Sequence, residues 1–144
     1  MIISVGADHG GFELKEQIVN YLKMSGHQVI DNGANSSDSV DYPDFAKLVS
    51  KDIQEKKAEF GVLVCGSGIG ISIAANRHNG IRAALVTRKE FAKLSREHNN
   101  ANVIVFGGRF TSFEEAKEYL DIFLSTPFEG GRHQNRIDKI EDKI

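Results

Sequence analysis

The residues best suited to chemistry lie together in the middle of the chain, in the stretch Cys65-Gly66-Ser67-Gly68-Ile69-Gly70. Three glycines at alternate positions stand directly before a helical pattern. Without Cβ atoms, they let backbone N–H groups turn towards one point, where the positive end of a helix binds an anion or oxyanion. That positive end also favours the thiolate of Cys65, a base or nucleophile near neutral pH.

Plainer interpretations of this loop stay open. The glycines could form only a tight strand-to-helix turn, and a lone cysteine is commonly a small buried hydrophobe. Known phosphate loops do not fit this stretch. Ile71 breaks the dinucleotide-binding pattern and also stands where a Cys-x5-Arg loop needs an arginine. A P-loop is excluded because no Gly-Lys-Ser/Thr follows. The stretch therefore predicts a site for an anion or oxyanion of another kind.

Further candidates lie elsewhere in the chain. Asp8 and His9 offer a carboxylate and an imidazole after the first apolar run, although Asp8 could simply cap a helix. His98 ends a helical pattern, where a cation could simply interact with the helix dipole. By residue type, the best candidates for phosphate ligands are Arg109, Arg132, His133 and Arg136. The alternative is that these side chains form only a solvated basic tail.

Short apolar runs alternate with helical patterns along the chain, and this alternation predicts where the candidate site residues lie in the fold. The runs cover residues 2–6, 28–31, 61–65, 81–86 and 103–106. Helical patterns carry Leu14 to Leu22, Phe45 to Ile53, 71–76, 89–98, the segment after Ser112, and 136–143. The alternation predicts an α/β fold, a three-layer Rossmann-like sandwich with a five-stranded parallel sheet. Strands one and three are neighbours in flavodoxin-like orders, so their loops are expected to face each other.

Composition limits the possible classes of protein. The 144 residues suit one domain, residues 1–144, and the 18 basic and 20 acidic side chains give a net charge of −2. That balance predicts no nucleic-acid or membrane partner. A single cysteine allows neither an internal disulfide nor a multi-cysteine zinc site. Since neither a signal peptide nor a long apolar stretch is visible, we expect a cytoplasmic protein.

Taken together, the motifs resemble the family of ribose-5-phosphate isomerase type B and the galactose-6-phosphate isomerase subunits. The matching stretches run from the first strand to Arg136: GADHGGFELK, DYPDFA, CGSGIGISIAANR, GIRAAL, SREHNNANVIVFGGR and FEGGRHQNR. Ser67 stands where many members carry threonine, and both supply a hydroxyl. Some relatives lack the loop cysteine, so this chain resembles the cysteine type.

The resemblance implies a metal-independent, cofactor-free isomerase of the pentose phosphate pathway, which interconverts ribose 5-phosphate and ribulose 5-phosphate through an enediolate. It implies His98 as the acid that opens the sugar ring, Asp8 as a group that binds or deprotonates a hydroxyl, and Cys65 as the base at C2. Ser67 would relay protons, and the loop amides of Gly66, Ser67, Gly68, Ile69 and Gly70 would bind the oxyanion. The remaining substrate-binding residues are Tyr42 and Asn99 for the sugar and His9, Arg109, Arg132 and Arg136 for the phosphate.

The resemblance also implies a homodimer with shared active sites, and leaves a dimer of dimers open. His98 ends a helix of about ten residues, about 15 Å long, which leads back to the amino ends of the strands and away from Cys65. We therefore expect His98 to act at the partner's site. The tail, about residues 125–144, carries Ile137, Ile140 and Ile144, and is expected to pack on the partner.

Two other functions stay open at this stage. A hexose phosphate, allose 6-phosphate or galactose 6-phosphate, offers the same hydroxy carbonyl and phosphate. The chain carries every matched catalytic residue, whereas the galactose enzymes need two different subunits, and this favours the ribose substrate. A non-catalytic sugar-phosphate binding module is disfavoured, because binding alone would not require Cys65, Asp8 and His98.

Overall fold

The computed structural model describes residues 1–142, which form a five-stranded sheet with helices on both faces. The strands are β1 (Ile2–Ala7), β2 (Gln28–Asp31), β3 (Phe60–Cys65), β4 (Ala83–Leu85) and β5 (Val103–Gly107). All neighbouring pairs are parallel, in the order β2-β1-β3-β5-β4. The predicted α/β fold with a five-stranded parallel sheet is thus confirmed, and β1 and β3 are neighbours as expected.

The order of the last two strands differs from the flavodoxin-like order, because β5 lies between β3 and β4. All five residues of β5 are buried, whereas the three residues of β4 are half-buried. The more apolar strand therefore takes the inner position. β4 is also shorter than the predicted run 81–86, and the Asn76 side chain bonds both the N–H and the C=O of Ala83.

Six helices connect and flank the strands: α1 (Phe12–Met24), α2 (Tyr42–Gln54), α3 (Ile69–Asn76), α4 (Lys89–Glu97), α5 (Phe113–Ser125) and α6 (Arg132–Glu141). A capping box between Ser112 and Glu115 begins α5. The prediction for the last helix, 136–143, is wrong at its start. The helix begins four residues earlier, directly after a turn at Gly130 and Gly131, and the predicted end at residue 143 and Ile144 lie outside the described residues. Among residues 1–142, none of the helices is long and apolar enough to cross a membrane.

Two apolar layers form the core, one on each face of the sheet. Helices α1, α4 and α5 cover one face through residues such as Ile18, Ala92 and Leu120. Helices α2 and α3 cover the other through Val49 and Ile71, and Cys65 is buried in this second layer. Because successive side chains of a strand point to opposite faces, the last residue of β3 is directed towards α3 and its amino end.

Candidate active site

A cleft of about 460 Å³ opens at the carboxyl ends of β1 and β3. It brings together eight of the residues predicted from the sequence: Asp8, His9, Tyr42, Cys65, Gly66, Ser67, Gly70 and Arg109. Gly10 and Phe110 also line it, and neither was predicted. The two polar loops therefore face each other, as the adjacency of β1 and β3 requires.

The sulfur of Cys65 lies at the amino end of α3. The thiol is 4% exposed, and the Gly68 N–H donates a hydrogen bond to its Sγ over 3.2 Å. Gly68 is the N-cap of α3 and has a φ of +81°, a left-handed conformation that glycine adopts without strain. The loop thus directs a backbone donor and the positive end of a helix at the sulfur, and both stabilise negative charge there.

The rest of the glycine loop forms the wall of the cleft around the first turn of α3. The Ile69 N–H donates to Ser67 Oγ over 3.1 Å, which fixes the exposed serine hydroxyl at the helix end. Tyr42, at the start of α2, lies against Gly70, where an added Cβ would come within 2.7 Å of the ring and 3.0 Å of the hydroxyl oxygen. Glycine at position 70 therefore lets the phenol reach the cleft.

The loop after β1 supplies the facing wall. Asp8 is buried, and its Oδ1 accepts a hydrogen bond from the Gly10 N–H over 2.9 Å. The Val40 N–H donates to His9 Nδ1 over 3.2 Å. A neutral ring that accepts at Nδ1 carries its proton on Nε2, so His9 can donate a hydrogen bond from its other nitrogen.

Arg109 supplies a positive charge at the mouth of the cleft. Its guanidinium lies over Gly66, where an added Cβ would come within 3.2 Å of the guanidinium carbon. The backbone N–H of Arg109 also donates a hydrogen bond to the Gly66 carbonyl over 3.0 Å. Phe110, 78% exposed, follows Arg109 on the rim. The turn after β5 therefore places a guanidinium beside the glycine loop, as a phosphate-binding role requires.

Six predicted site residues do not line this cleft. Gly68 and Ile69 belong to the glycine loop beside it, whereas His98, Asn99, Arg132 and Arg136 lie elsewhere. His98 is the C-cap of α4, and Asn99 O accepts a hydrogen bond from Arg82, just before β4. Both residues therefore lie at the amino edge of the sheet. Arg132 and Arg136 are exposed on α6. Since β5 alone spans about 13 Å, one subunit does not bring His98 beside its own Cys65.

The His98 ring stacks on His133, with centroids 4.3 Å apart, and Glu129 Oε1 lies 3.5 Å from Nε2 of each ring. Sequence reasoning assigned no role to Glu129. Its spacing from His133, four residues along the chain, is the only signal that could have pointed to it.

A second cleft, of about 520 Å³, also opens at the amino edge. Arg82 and Arg96 line it, but Arg82 pairs with Glu141 at 2.6 Å and donates to the carbonyls of residues 99 and 100. Arg96 donates to the carbonyls of Thr126 and Ala101. Since the guanidinium groups already have partners and the lining residues that the structure describes include no cysteine, serine or histidine, we place the candidate active site at the carboxyl edge.

The fold and the cleft define a class of protein: a doubly wound α/β protein with a buried thiol at the amino end of a helix that borders a polar cleft. Comparison with known proteins narrows this class. The family model described as Ribose/Galactose Isomerase matches residues 3–140. The chain belongs to this family.

Relatives and solved structures agree with this assignment. The chain is similar to ribose-5-phosphate isomerase B of Escherichia coli, with 46% identity over 138 residues, 96% of this chain and 93% of that protein. A crystal structure of a ribose 5-phosphate isomerase from Thermotoga maritima is 53% identical, covers 97% of each chain and has a TM-score of 0.96. A Mycoplasma genitalium ribose-5-phosphate isomerase B with bound ribulose-5-phosphate is 43% identical, with a TM-score of 0.93 over 97% of this chain and 93% of that one.

Proposed function

We propose that the protein is an isomerase that interconverts D-ribose 5-phosphate and D-ribulose 5-phosphate through an enediolate, without a metal ion. The observation that carries this proposal is the buried sulfur of Cys65, held by the Gly68 N–H at the amino end of α3 in a cleft shared with Asp8 and His9. The Mycoplasma genitalium relative, which binds ribulose-5-phosphate, supports the substrate.

The isomerisation moves one proton between two carbons. The thiolate of Cys65 takes the proton from C2 of the open-chain aldose, and the electron pair forms the C1–C2 double bond of the enediolate. Return of the proton to C1, with loss of the hydroxyl proton at C2, gives the ketose. Negative charge develops on the carbonyl oxygen, where loop amides stabilise it, and losing one such donor typically costs about 2.7–4 kcal/mol of barrier. The Ser67 hydroxyl carries the proton between the two sugar oxygens.

Most of the aldose is a closed furanose, so the ring must open first. The C1–O4 bond breaks, O4 takes a proton from the imidazolium of His98, and the C1 hydroxyl gives its proton to the Asp8 carboxylate. Tyr42 and Asn99 hold sugar hydroxyls. His9, Arg109, Arg132 and Arg136 bind the phosphate, which contributes binding energy away from the reacting carbons.

This division of roles requires two subunits. Cys65 and Asp8 lie at the carboxyl edge, whereas His98 and α6 lie at the amino edge, so we propose a homodimer in which each cleft receives His98, Asn99, Arg132 and Arg136 of the partner. The outer face of α3 supports a subunit contact, because Ile69 and Ile73 are 55% and 61% exposed. On the tail, the 61%-exposed Ile140 offers a further apolar surface for the partner. A reducing cytoplasm would keep the lone thiol free.

The activity is tested by incubating purified protein with ribose 5-phosphate in excess chelator, with allose 6-phosphate and galactose 6-phosphate run in parallel. We expect formation of ribulose 5-phosphate at a rate that the chelator does not change. Conversion of a hexose phosphate alone would keep the mechanism and overturn the substrate. Absence of turnover on all three would overturn the enzyme and favour a binding module.

The shared site is tested by mixing two inactive variants, Cys65→Ala and His98→Asn. After random reassociation, half of the dimers are mixed, and each mixed dimer has one intact site if the residues act across the interface. We expect recovery to about one quarter of wild-type activity. Sites built within one subunit would give no recovery. The oligomeric state of both variants, measured by light scattering, serves as the control.

A further inference from the structure

The amino-edge cluster of His98, Glu129 and His133 contains two residues with no role in the reaction described above. The His98 and His133 rings lie 16° from parallel with centroids 4.3 Å apart, and Glu129 Oε1 lies 3.5 Å from the Nε2 atom of both. At 3.5 Å the carboxylate acts through its charge rather than through a close hydrogen bond. One carboxylate therefore serves two stacked imidazoles.

The backbone around Glu129 holds this arrangement in place. The Glu129 N–H donates to the carbonyl of Glu97, the residue before His98, over 3.1 Å. Gly130 and Gly131 follow with φ of +72° and +58°, a left-handed turn that a side chain would strain, and the His133 N–H donates to the Gly130 carbonyl. The turn thus fixes the carboxylate against the end of α4 and the His133 ring against His98.

The two imidazoles differ in their surroundings. The side chain of His98 is 41% exposed, whereas that of His133 is 9% exposed. Burial lowers the pKa of His133, the charges of His98, Arg132 and Arg136 lower it further, and only Glu129 opposes them. Arg96, on the last turn of α4, is directed away to the Thr126 and Ala101 carbonyls. The surroundings of His133 therefore oppose a positive charge on its ring, and His98 is the more exposed ring of the two.

We propose that Glu129 and His133 are positioning residues for ring opening: the carboxylate favours the imidazolium of His98, and the stacked His133 ring holds that imidazolium in its plane. The proposal rests on the proposed function, in which His98 donates the proton to the ring oxygen. Neither residue touches the reacting atoms. Their effect is to keep the acid charged and oriented before the sugar arrives.

The test compares a substrate that has a ring with one that has none. Ribose 5-phosphate is mainly a furanose, whereas ribulose 5-phosphate cannot close such a ring, because its C5 oxygen carries the phosphate. The variants are Glu129→Gln and His133→Phe, which keep the side-chain shape, and the matched controls are Glu114→Gln on α5 and His78→Phe. Glu129 is about half exposed, so its variant remains informative if His133→Phe does not fold.

We expect kcat for ribose 5-phosphate to fall about 10- to 100-fold in Glu129→Gln and His133→Phe. This is less than the roughly 10²- to 10⁴-fold that a positioned proton donor itself contributes, because His98 stays in place. The kcat for ribulose 5-phosphate should change less than threefold, as a rough bound. Because the equilibrium constant fixes the ratio of kcat/KM in the two directions, KM for ribose 5-phosphate should fall together with its kcat. At high enzyme concentration the aldose rate of the variants should level off, because spontaneous ring opening becomes limiting.

Equal losses of kcat in both directions would assign the two residues a structural role and overturn the proposal. Wild-type behaviour of Glu129→Gln would overturn it as well. Failure of the proposed function has a different signature, since His98→Asn would then leave the aldose rate intact or the mixing experiment would give no recovery.

Discussion

The two edges of the sheet hold their functional side chains in different ways. At the carboxyl edge, backbone N–H groups bond Asp8, His9 and Cys65. At the amino edge, side chains hold side chains, as Glu129 does for His98. Backbone donors therefore hold the first group independently of neighbouring side chains, whereas His98 depends on charge and stacking at a partly exposed surface. The residues proposed as base and oxyanion site are thus held rigidly by the backbone, whereas the residue proposed as the ring-opening acid is held by side chains that can adjust.

The largest effect is expected at the rigid edge. Cys65→Ser keeps the shape of the side chain and its hydrogen bond from Gly68, but replaces a thiol with a much weaker acid. We expect kcat/KM to fall about 10²- to 10⁴-fold while the sugar phosphate still binds. Steady-state kinetics and calorimetric titration measure the two quantities. Alkylation of the wild-type thiol should abolish turnover, and full activity of a stoichiometrically alkylated protein would refute the role of Cys65 as the base.

A smaller effect is expected from the arginines of the amino edge. Arg132→Ala and Arg136→Ala should each raise KM about 10- to 100-fold with little change in kcat, because a charge-assisted hydrogen bond contributes about 1.5–3 kcal/mol. Lys139→Ala, on the same helix, is the control and should leave KM unchanged. An unaltered KM in both arginine variants would separate α6 from the phosphate and weaken the contrast between the edges.

The rigidity of the carboxyl edge predicts a stability effect. Gly68→Ala combines a left-handed φ with an added Cβ only 2.5 Å from Leu85 Cδ1 and 3.0 Å from the Phe106 backbone. The strain costs about 1–2 kcal/mol and the crowding about 1–3 kcal/mol of the free energy of unfolding. Gly26→Ala is the matched control, since its φ is +90° and nothing lies within 4 Å. Urea unfolding should show a clearly larger loss of the free energy of unfolding for Gly68→Ala than for Gly26→Ala. Equal losses would mean that the loop changes shape to accommodate the added Cβ.

The adjustable edge predicts the smallest effect, a dependence of stability on pH. The pKa of His133 is lowered from its ordinary value of 6.5 in the folded protein. As the pH falls through 6.5, the unfolded chain binds a proton that the folded chain does not, so the folded state loses stability towards acid. His133→Phe should flatten this decline between about pH 7.5 and 5.5 in urea midpoints. Parallel curves for the variant and the wild type would show that His133 does not contribute.

Much of the carboxyl edge could be predicted from the sequence, because Asp8, His9 and Cys65 directly follow apolar runs that read as buried strands. Local patterns specify such runs and their loops, but they do not specify which strands become neighbours. The position of β5 between β3 and β4 was therefore not predictable from the sequence. The approach of Tyr42 to Gly70 also depends on tertiary packing. The roles assigned to His98 and to the arginines stay predictions that the mixing and KM experiments test.

The amino edge was harder to predict for a different reason. Gly130 and Gly131 are typical of a loop. The sequence therefore did not indicate that α6 begins directly after them, or that the Glu129 carboxylate lies beside the His133 ring. Only the spacing of four residues between Glu129 and His133 could have pointed to this carboxylate.

The burial of Cys65 has a consequence in oxidation chemistry. The chain contains no second cysteine, so a sulfenic acid formed at this sulfur could not be rescued by an internal disulfide. Recovery would depend on a thiol supplied from outside, which must enter the cleft to reach a sulfur that is 4% exposed. The same enclosure that keeps peroxide from the thiol would therefore slow its repair, and oxidation of Cys65 should be slow to appear and slow to reverse.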